Sequence, residues 1–268
     1  MKFAIKIFLI GITFIFTGCV TLYKPNAIHS PLIKEKGDLN ASASIGASGC
    51  GLYNLQAAYA ISNNIGIMID GMHHRRRLSS ADSSVEKLEM FFGEAGAGYF
   101  TRFGNNKNGL FQCYSGAGYG VSKDRVTSLH RDPNEMNAKY FNVFIQPGVA
   151  FTGKNFEMAF DLRANYVNLF NIRSPLYDKF EWWNTDFRFH SDTSLYFINL
   201  EPTLTMKAGG QKLKGIVQFG LTIPSINAHS YFIVNTSSLL GIPLIKFSLG
   251  INYYFGKFTR DSFIALPP

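Results

Sequence analysis

One short run in the sequence contains the side-chain types of an acyl-transfer enzyme. His190, Ser191 and Asp192 supply a base, a nucleophile and an acid, which such catalysis needs within reach of one another. Adjacent side chains diverge on a strand, so these three residues are poorly placed to relay a proton. No cysteine and histidine spacing is typical of zinc, and no helix pattern follows the glycines of residues 116–120 to bind a phosphate. The sequence therefore predicts a protein that is not an enzyme and needs no metal or cofactor.

Ionisable side chains recur on one face of the predicted strands, opposite a face that is apolar. Eight of them are expected inside a barrel: Asp70, Glu94, Glu157, Asp161, Arg163, Glu201, Lys207 and Lys246. Charges of both signs in a confined space pair, because an isolated buried charge is strongly unfavourable. The network is either a structural plug or the lining of a selective pore. A barrel of about ten strands has little room beyond its own side chains, which favours the plug.

Two groups in the predicted loops are candidates for contacts outside the barrel. The first is the basic cluster of His73, His74, Arg75, Arg76 and Arg77, just past the third predicted strand. It is either a site for the phosphates of lipopolysaccharide or a solvated rim. The second is the pair Trp182 and Trp183, which is either an adhesive tip or part of an aromatic girdle at the membrane interface.

Period-two alternation is the main evidence for the fold, since successive side chains of a strand point to opposite faces. In residues 196–208, Tyr196, Ile198 and Leu200 begin one face while Asn199 and Glu201 lie on the other. The same pattern, of varying regularity, predicts strands at 38–46, 52–61, 65–72, 87–102, 110–121, 138–152, 156–170, 196–208, 213–224 and 245–255. We expect the inner-face glycines to leave room for large neighbours such as Tyr114.

The connections between these strands alternate in length. Short, turn-rich stretches at 62–64, 103–109, 152–155 and 209–212 alternate with longer ones at 73–86, 122–137, 171–195 and 225–241. This rhythm is typical of outer-membrane barrels. We predict an all-β fold: a single antiparallel up-and-down transmembrane β-barrel of about ten strands, with short periplasmic turns and longer extracellular loops. The competing architecture is a soluble lipocalin-like barrel, which would turn its apolar residues inward.

The N-terminus indicates export. Lys2 and Lys6 precede an apolar run at 7–16 that is too short to span a bilayer as a helix. Residues 16–19, Phe-Thr-Gly-Cys, resemble the lipobox of bacterial lipoproteins, which implies that Cys19 is acylated after cleavage. The alternative is an ordinary cleaved signal peptide. We predict a signal peptide at 1–18, a periplasmic N-terminal linker at 19–37, an outer-membrane barrel at 38–256 and a C-terminal tail at 257–268.

The last strand carries a second resemblance. Ser248, Gly250, Tyr253 and Phe255 resemble the β-signal that the barrel-insertion machinery recognises, which implies that machinery as a partner. Residues 23–26, Tyr-Lys-Pro-Asn, with Pro31-Leu32 and Glu35-Lys36-Gly37, resemble the segment after the acylated cysteine in an uncharacterised family of Gram-negative barrel lipoproteins. That resemblance implies a fold and a location in the outer membrane, anchored by the N-terminal lipid, but no activity.

Composition narrows the function. Aromatic residues make up 15% of the chain and charged residues only 16%, and the formal charge is +8. The basic residues form no concentrated stripe, which argues against nucleic-acid binding and favours contact with outer-membrane lipid and lipopolysaccharide. The leading hypothesis is a non-enzymatic barrel in envelope structure or surface interaction. The alternatives are a narrow pore for small solutes and, more remotely, a barrel hydrolase acting on lipid or peptide.

Overall fold

A computed structural model of the chain describes residues 23–46, 51–79, 85–128, 131–173, 194–225 and 245–256. These residues form an antiparallel β-barrel preceded by an irregular segment, residues 23–38, and contain no helix. None of the described ranges therefore offers a helix long and apolar enough to cross a membrane.

The strands follow the predicted order along the chain. Their bounds are β1 Leu39–Gly46, β2 Leu52–Ala60, β3 Ile65–Ser79, β4 Val85–Phe103, β5 Gly109–Ser128, β6 Arg131–Thr152, β7 Phe156–Arg173, β8 Leu195–Gly209, β9 Leu213–Leu221, β10 Ile223–Ser225 and β11 Ile245–Tyr254. The short β10 continues β9 along the same partner, β8, so the wall has ten strand positions.

Each strand pairs with its neighbours in the chain, and the first strand closes the barrel by pairing with the last. In that seam Asn40 lies opposite Tyr254 and Gly46 opposite Ser248. Strand β11 continues the wall by pairing with β9 from Ile245 to Tyr253. The predicted fold, a closed antiparallel barrel of about ten strands, is confirmed.

The two ends of the barrel differ. Short connections at 61–64, 104–108, 153–155 and 210–212 all lie at one end, which we name the turn end. The opposite end, named the loop end, receives the remaining connections. Strands β3 to β6 extend further toward the loop end than predicted, so most of residues 73–86 and 122–137, expected as loops, continue the ladder. The prediction stopped where the apolar alternation stops, although hydrogen-bonded pairing continues beyond it.

Apolar side chains cover the outside of the barrel and polar side chains fill its inside. Ile69, Ile145 and Leu200 are exposed, whereas Asp70, Gln146 and Glu201 beside them in sequence are buried. The pattern is the reverse of a soluble barrel, in which the apolar face turns inward. The structure therefore contradicts the lipocalin-like alternative.

Glycines on the inner face give the lumen space for large side chains, as predicted for Tyr114. A Cβ at Gly98 would lie 2.5 Å from the Tyr114 ring, and one at Gly120 would lie 2.2 Å from the Tyr140 ring. Both tyrosines are fully buried. Only glycine allows these rings to lie flat against the opposing strand.

Candidate functional site

The lumen is occupied by residues 23–38, which we name the N-terminal plug. Tyr23 lies among residues of the loop-end half, and Lys34 reaches Glu157 at the turn end. The chain then joins β1 at Leu39. This path differs from the periplasmic linker predicted for 19–37, because residues 23–33 are buried inside the barrel rather than outside it.

Amide side chains of the wall hold the main chain of the plug. Gln218 accepts a hydrogen bond from the Ile28 N–H at 3.2 Å and donates one to the Ile28 carbonyl at 2.7 Å. Gln146 donates to the His29 carbonyl at 2.7 Å, and Gln56 donates to the Ala27 carbonyl at 2.9 Å. A buried irregular segment needs such partners, since each unpaired peptide group is costly. The wall side chains replace the ladder that the plug lacks.

All eight ionisable residues expected in the lumen are buried there. Arg163 Nη1 lies 2.8 Å from Glu94 Oε1, and Lys246 Nζ lies 2.9 Å from Glu201 Oε2. The guanidinium of Arg163 also covers the ring of Phe144 at 4.1 Å. Within these two pairs, opposite charges from different strands neutralise each other across the lumen.

The other members of the charged set depend on groups that the sequence reasoning missed. Asp70 contacts His29 of the plug at 2.7 Å, and Asp161 accepts a hydrogen bond from Ser30. Lys207 Nζ donates to the Ser30 carbonyl at 3.0 Å. Glu157 lies 2.8 Å from Lys34 and 3.0 Å from Lys214. The plug and the wall therefore form one network, which strand periodicity alone does not reveal.

Apolar layers enclose this polar middle. Near the loop end the ring of Tyr23 packs edge-on against Tyr140 and Phe197, with centroids 5.2 and 5.5 Å away. Toward the turn end Leu32 and Ile33 lie in a second buried cluster with Tyr114. The lumen thus has an apolar layer, a polar layer and another apolar layer along its axis.

The outer wall carries a continuous apolar belt. Along β6 every outward residue from Phe141 to Phe151 is apolar. That segment rises about 34 Å along the strand, or roughly 25 Å along the axis at a typical tilt of about 40°. Exposed aromatic residues lie near both edges of the belt: Tyr53, Phe91, Tyr119, Phe141, Tyr166 and Tyr196 on the loop side, and Tyr59, Tyr99, Phe103, Phe111, Phe151 and Phe156 on the turn side.

The basic cluster does not lie in a loop, as predicted, but on β3. Because β3 continues to Ser79, its side chains alternate: His73, Arg75 and Arg77 face outward, whereas His74 and Arg76 face inward. His74 is buried, and its Nε2 lies 3.0 Å from Lys24 Nζ of the plug. Only half of the cluster is therefore available to an external partner.

Several predicted features lie outside the described residues: Cys19, the tryptophan pair, residues 190–192 and the C-terminal tail at 257–268. Within the described ranges no group of three or more histidine, cysteine, aspartate or glutamate side chains is arranged to hold a metal ion.

No protein-family model matches the chain, and no curated protein matches it. Two solved structures are similar to it. One is Ail, the attachment invasion locus protein of Yersinia pestis, with 11% identity and a TM-score of 0.34 over 82% of this chain and 99% of that one. The other is Acinetobacter baumannii CarO, with 13% identity and a TM-score of 0.31 over 85% of this chain and 100% of that one. Likeness at this level is silent on function.

Proposed function

We propose that this chain is a non-enzymatic outer-membrane β-barrel lipoprotein that fills its own lumen and acts in envelope structure or surface interaction. The observation that carries the proposal is the arrangement of the two faces: an apolar belt outside and a charge network closed by the N-terminal plug inside. Hydrocarbon is the solvent that matches the outside, because every backbone group of a closed barrel is already paired.

The thickness of the belt supports a bilayer location. A height of roughly 25 Å matches the apolar band of bacterial barrels, and aromatic residues at both edges match the interfacial girdles. Washing membranes with sodium carbonate or urea tests this location. An integral barrel stays in the pellet, and release into the supernatant would remove the proposal.

The filled lumen supports a barrel that does not conduct. In a planar bilayer the full chain is expected to remain silent, whereas a variant lacking residues 24–33 is expected to show current steps. Heat-dependent mobility on gels checks that the shortened variant still forms a barrel. Steady single-channel steps from the full chain would instead favour the narrow-pore alternative.

The direction of the plug bears on the lipid anchor. Tyr23 lies in the loop-end half, so the residues before it leave the barrel at that end. Cys19 is four residues further, a reach of at most about 14 Å. With the turn end facing the periplasm, an acyl group on Cys19 would belong to the outer surface. Mass spectrometry of the mature N-terminus tests acylation, and a serine at position 19 is the matched control.

The remaining rival is a barrel hydrolase acting on lipid. Lipid A profiles of cells with and without the protein are expected to be identical. A change in acylation that depends on the protein would contradict the non-enzymatic assignment.

A further inference from the structure

A groove of about 400 Å³ opens on the outer wall near the loop-end edge of the apolar belt. Its floor includes Gly71 and Gly93, which lie opposite each other on β3 and β4 and present no side chain. Tyr53, Phe91 and Tyr119 stand around it. A Cβ built on Gly71 would meet no atom within 4 Å. Wall packing therefore does not require glycine here, and the missing side chain leaves an open apolar depression.

A second, polar hollow of about 270 Å³ lies next to this groove, and Val121 lines both. Lys123, Lys139, Asn137 and Asn171 line the hollow. The β6 to β7 register shifts between Asn137 and Lys139, and Asn171 has a positive φ of 51°. This local irregularity separates the strands' outward side chains and places two ammonium groups at the end of an apolar groove.

The wall above the groove carries an excess of positive charge. Its outward ionisable residues, all exposed, are Arg75, Arg77, Lys87, Lys123, Arg125 and Lys139, against Glu89 and Glu135. Arg77, Lys87 and Arg125 form one row across β3, β4 and β5. Like charges directly opposite one another are destabilising. Among the described residues, none of the six cations has a carboxylate oxygen within 4 Å. The row is suited to an external anion.

We infer that this wall binds a lipid with a phosphate headgroup from the leaflet at the loop end. One acyl chain would lie in the groove over Gly71 and Gly93, and the phosphate would contact Lys123 and Lys139. The charge complementarity selects the headgroup, since ammonium groups donate strong charge-assisted hydrogen bonds to phosphate oxygens. The aromatic rings of Tyr53 and Phe91 place the groove at the depth where chain and headgroup meet. This inference rests on the proposed membrane location.

Native mass spectrometry of the full chain in detergent micelles tests the site. The probes are diphosphorylated lipid A and the same lipid A with its phosphates removed. Gly93→Leu fills the groove, and its matched control is Gly215→Leu, an outward glycine of β9 with similar space around its Cβ. The double variant Lys123→Gln and Lys139→Gln removes the headgroup contacts. Its control is Lys107→Gln with Lys212→Gln, two exposed lysines at the turn end.

The wild-type chain is expected to retain the phosphorylated lipid at least about tenfold more tightly than the dephosphorylated one, the effect of about one charge-assisted hydrogen bond. Gly93→Leu weakens retention of both lipids, the Lys123 and Lys139 variant removes the preference, and both controls behave like wild type. Equal retention of the two lipids by wild type, or equal losses in site and control variants, would overturn the inference. A protein that stays in the carbonate pellet yet shows no preference loses only this inference, whereas release by carbonate removes the proposed function itself.

Discussion

Arg163 is the centre of the buried charge network at the scale of single residues. It contacts Glu94 at 2.8 Å, donates from Nε to Gln146 at 3.0 Å and covers the Phe144 ring. Both charged groups of the pair are fully buried. A buried pair gives little net stabilisation compared with apolar residues, but loss of one partner leaves an uncompensated charge in a medium of low dielectric.

We therefore predict that Arg163→Met destabilises the barrel by about 3 to 5 kcal/mol. The double variant Arg163→Met with Glu94→Leu is expected to recover most of that loss, since neither charge remains. Urea unfolding in detergent, followed by circular dichroism, measures both, with Lys107→Met at the turn end as the surface control. Equal stability of the single and double variants would show that the pair is not coupled.

Gly66 tests how closely the plug packs against the wall. A Cβ at this position would lie 2.4 Å from Ile33 Cδ1 and 2.8 Å from the Tyr114 hydroxyl, and both side chains are fully buried. Gly66→Ala is expected to cost about 1 to 3 kcal/mol through overpacking. Adding Ile33→Val removes the Cδ1 atom and is expected to restore part of the loss.

The matched control for that prediction lies on the outer face of the same strand. A Cβ at Gly71 has open space, so Gly71→Ala is expected to leave the free energy of unfolding unchanged to within about 0.5 kcal/mol. Thermal or urea unfolding of the three variants checks the set. A similar cost at both glycines would indicate a general strand effect rather than contact with the plug.

At the scale of elements, the plug depends on wall side chains for its hydrogen bonds. Gln218 makes two of them to the same residue, Ile28. Gln218→Ala is expected to speed hydrogen exchange of the Ile28 amide by at least about tenfold, because the loss of a buried hydrogen bond costs about 1 to 3 kcal/mol. Gln211→Ala, in the turn before β9, is the control. Unchanged exchange at Ile28 would contradict a held plug.

The strands themselves could be predicted from the sequence because lipid imposes a strict alternation on them. Seven of the ten predicted starts lie within one residue of the structure, including Leu52, Ile65 and Phe156. The loop-side ends of β3 to β6 could not. Beyond the belt both faces meet polar surroundings, so Arg75 and Arg76 look alike in sequence although one faces out and the other in.

The plug could not be predicted because it has no periodicity. Residues 23–38 mix Lys24, Asn26, Ile28 and Ser30 without an apolar face, and their partners are spread over most strands of the wall. The lumen charges were identified from alternation, but which of them pair with the plug depends on tertiary placement. A weak signal was present: Asn54, Gln56, Gln112, Gln146 and Gln218 are inward amides beyond what the charges alone require.

At the scale of the whole molecule, the N-terminal plug and β1 run in opposite directions through one barrel. The chain descends the lumen to Lys34, turns at Gly37 with a φ of 89°, and starts the wall at Leu39. Asp38 closes the turn by accepting hydrogen bonds from the Lys34 and Glu35 amides. Cys19 is thereby separated from β1 by the length of the barrel, although only twenty residues lie between Cys19 and Leu39 in sequence.

This arrangement predicts which face of the membrane carries the N-terminus. An epitope inserted between Leu22 and Tyr23 is expected to bind antibody on intact cells, as is one inserted at Asn235 in the connection between β10 and β11. An epitope at Asn106, in the turn between β4 and β5, is expected to bind only after permeabilisation. The physical reason is the path of the plug: the strand pairing and the contacts of Tyr23 fix the end at which the chain enters. Labelling of the Asn235 epitope but not the N-terminal one on intact cells would mean that the plug enters from the turn end, and the surface-anchor proposal would fail.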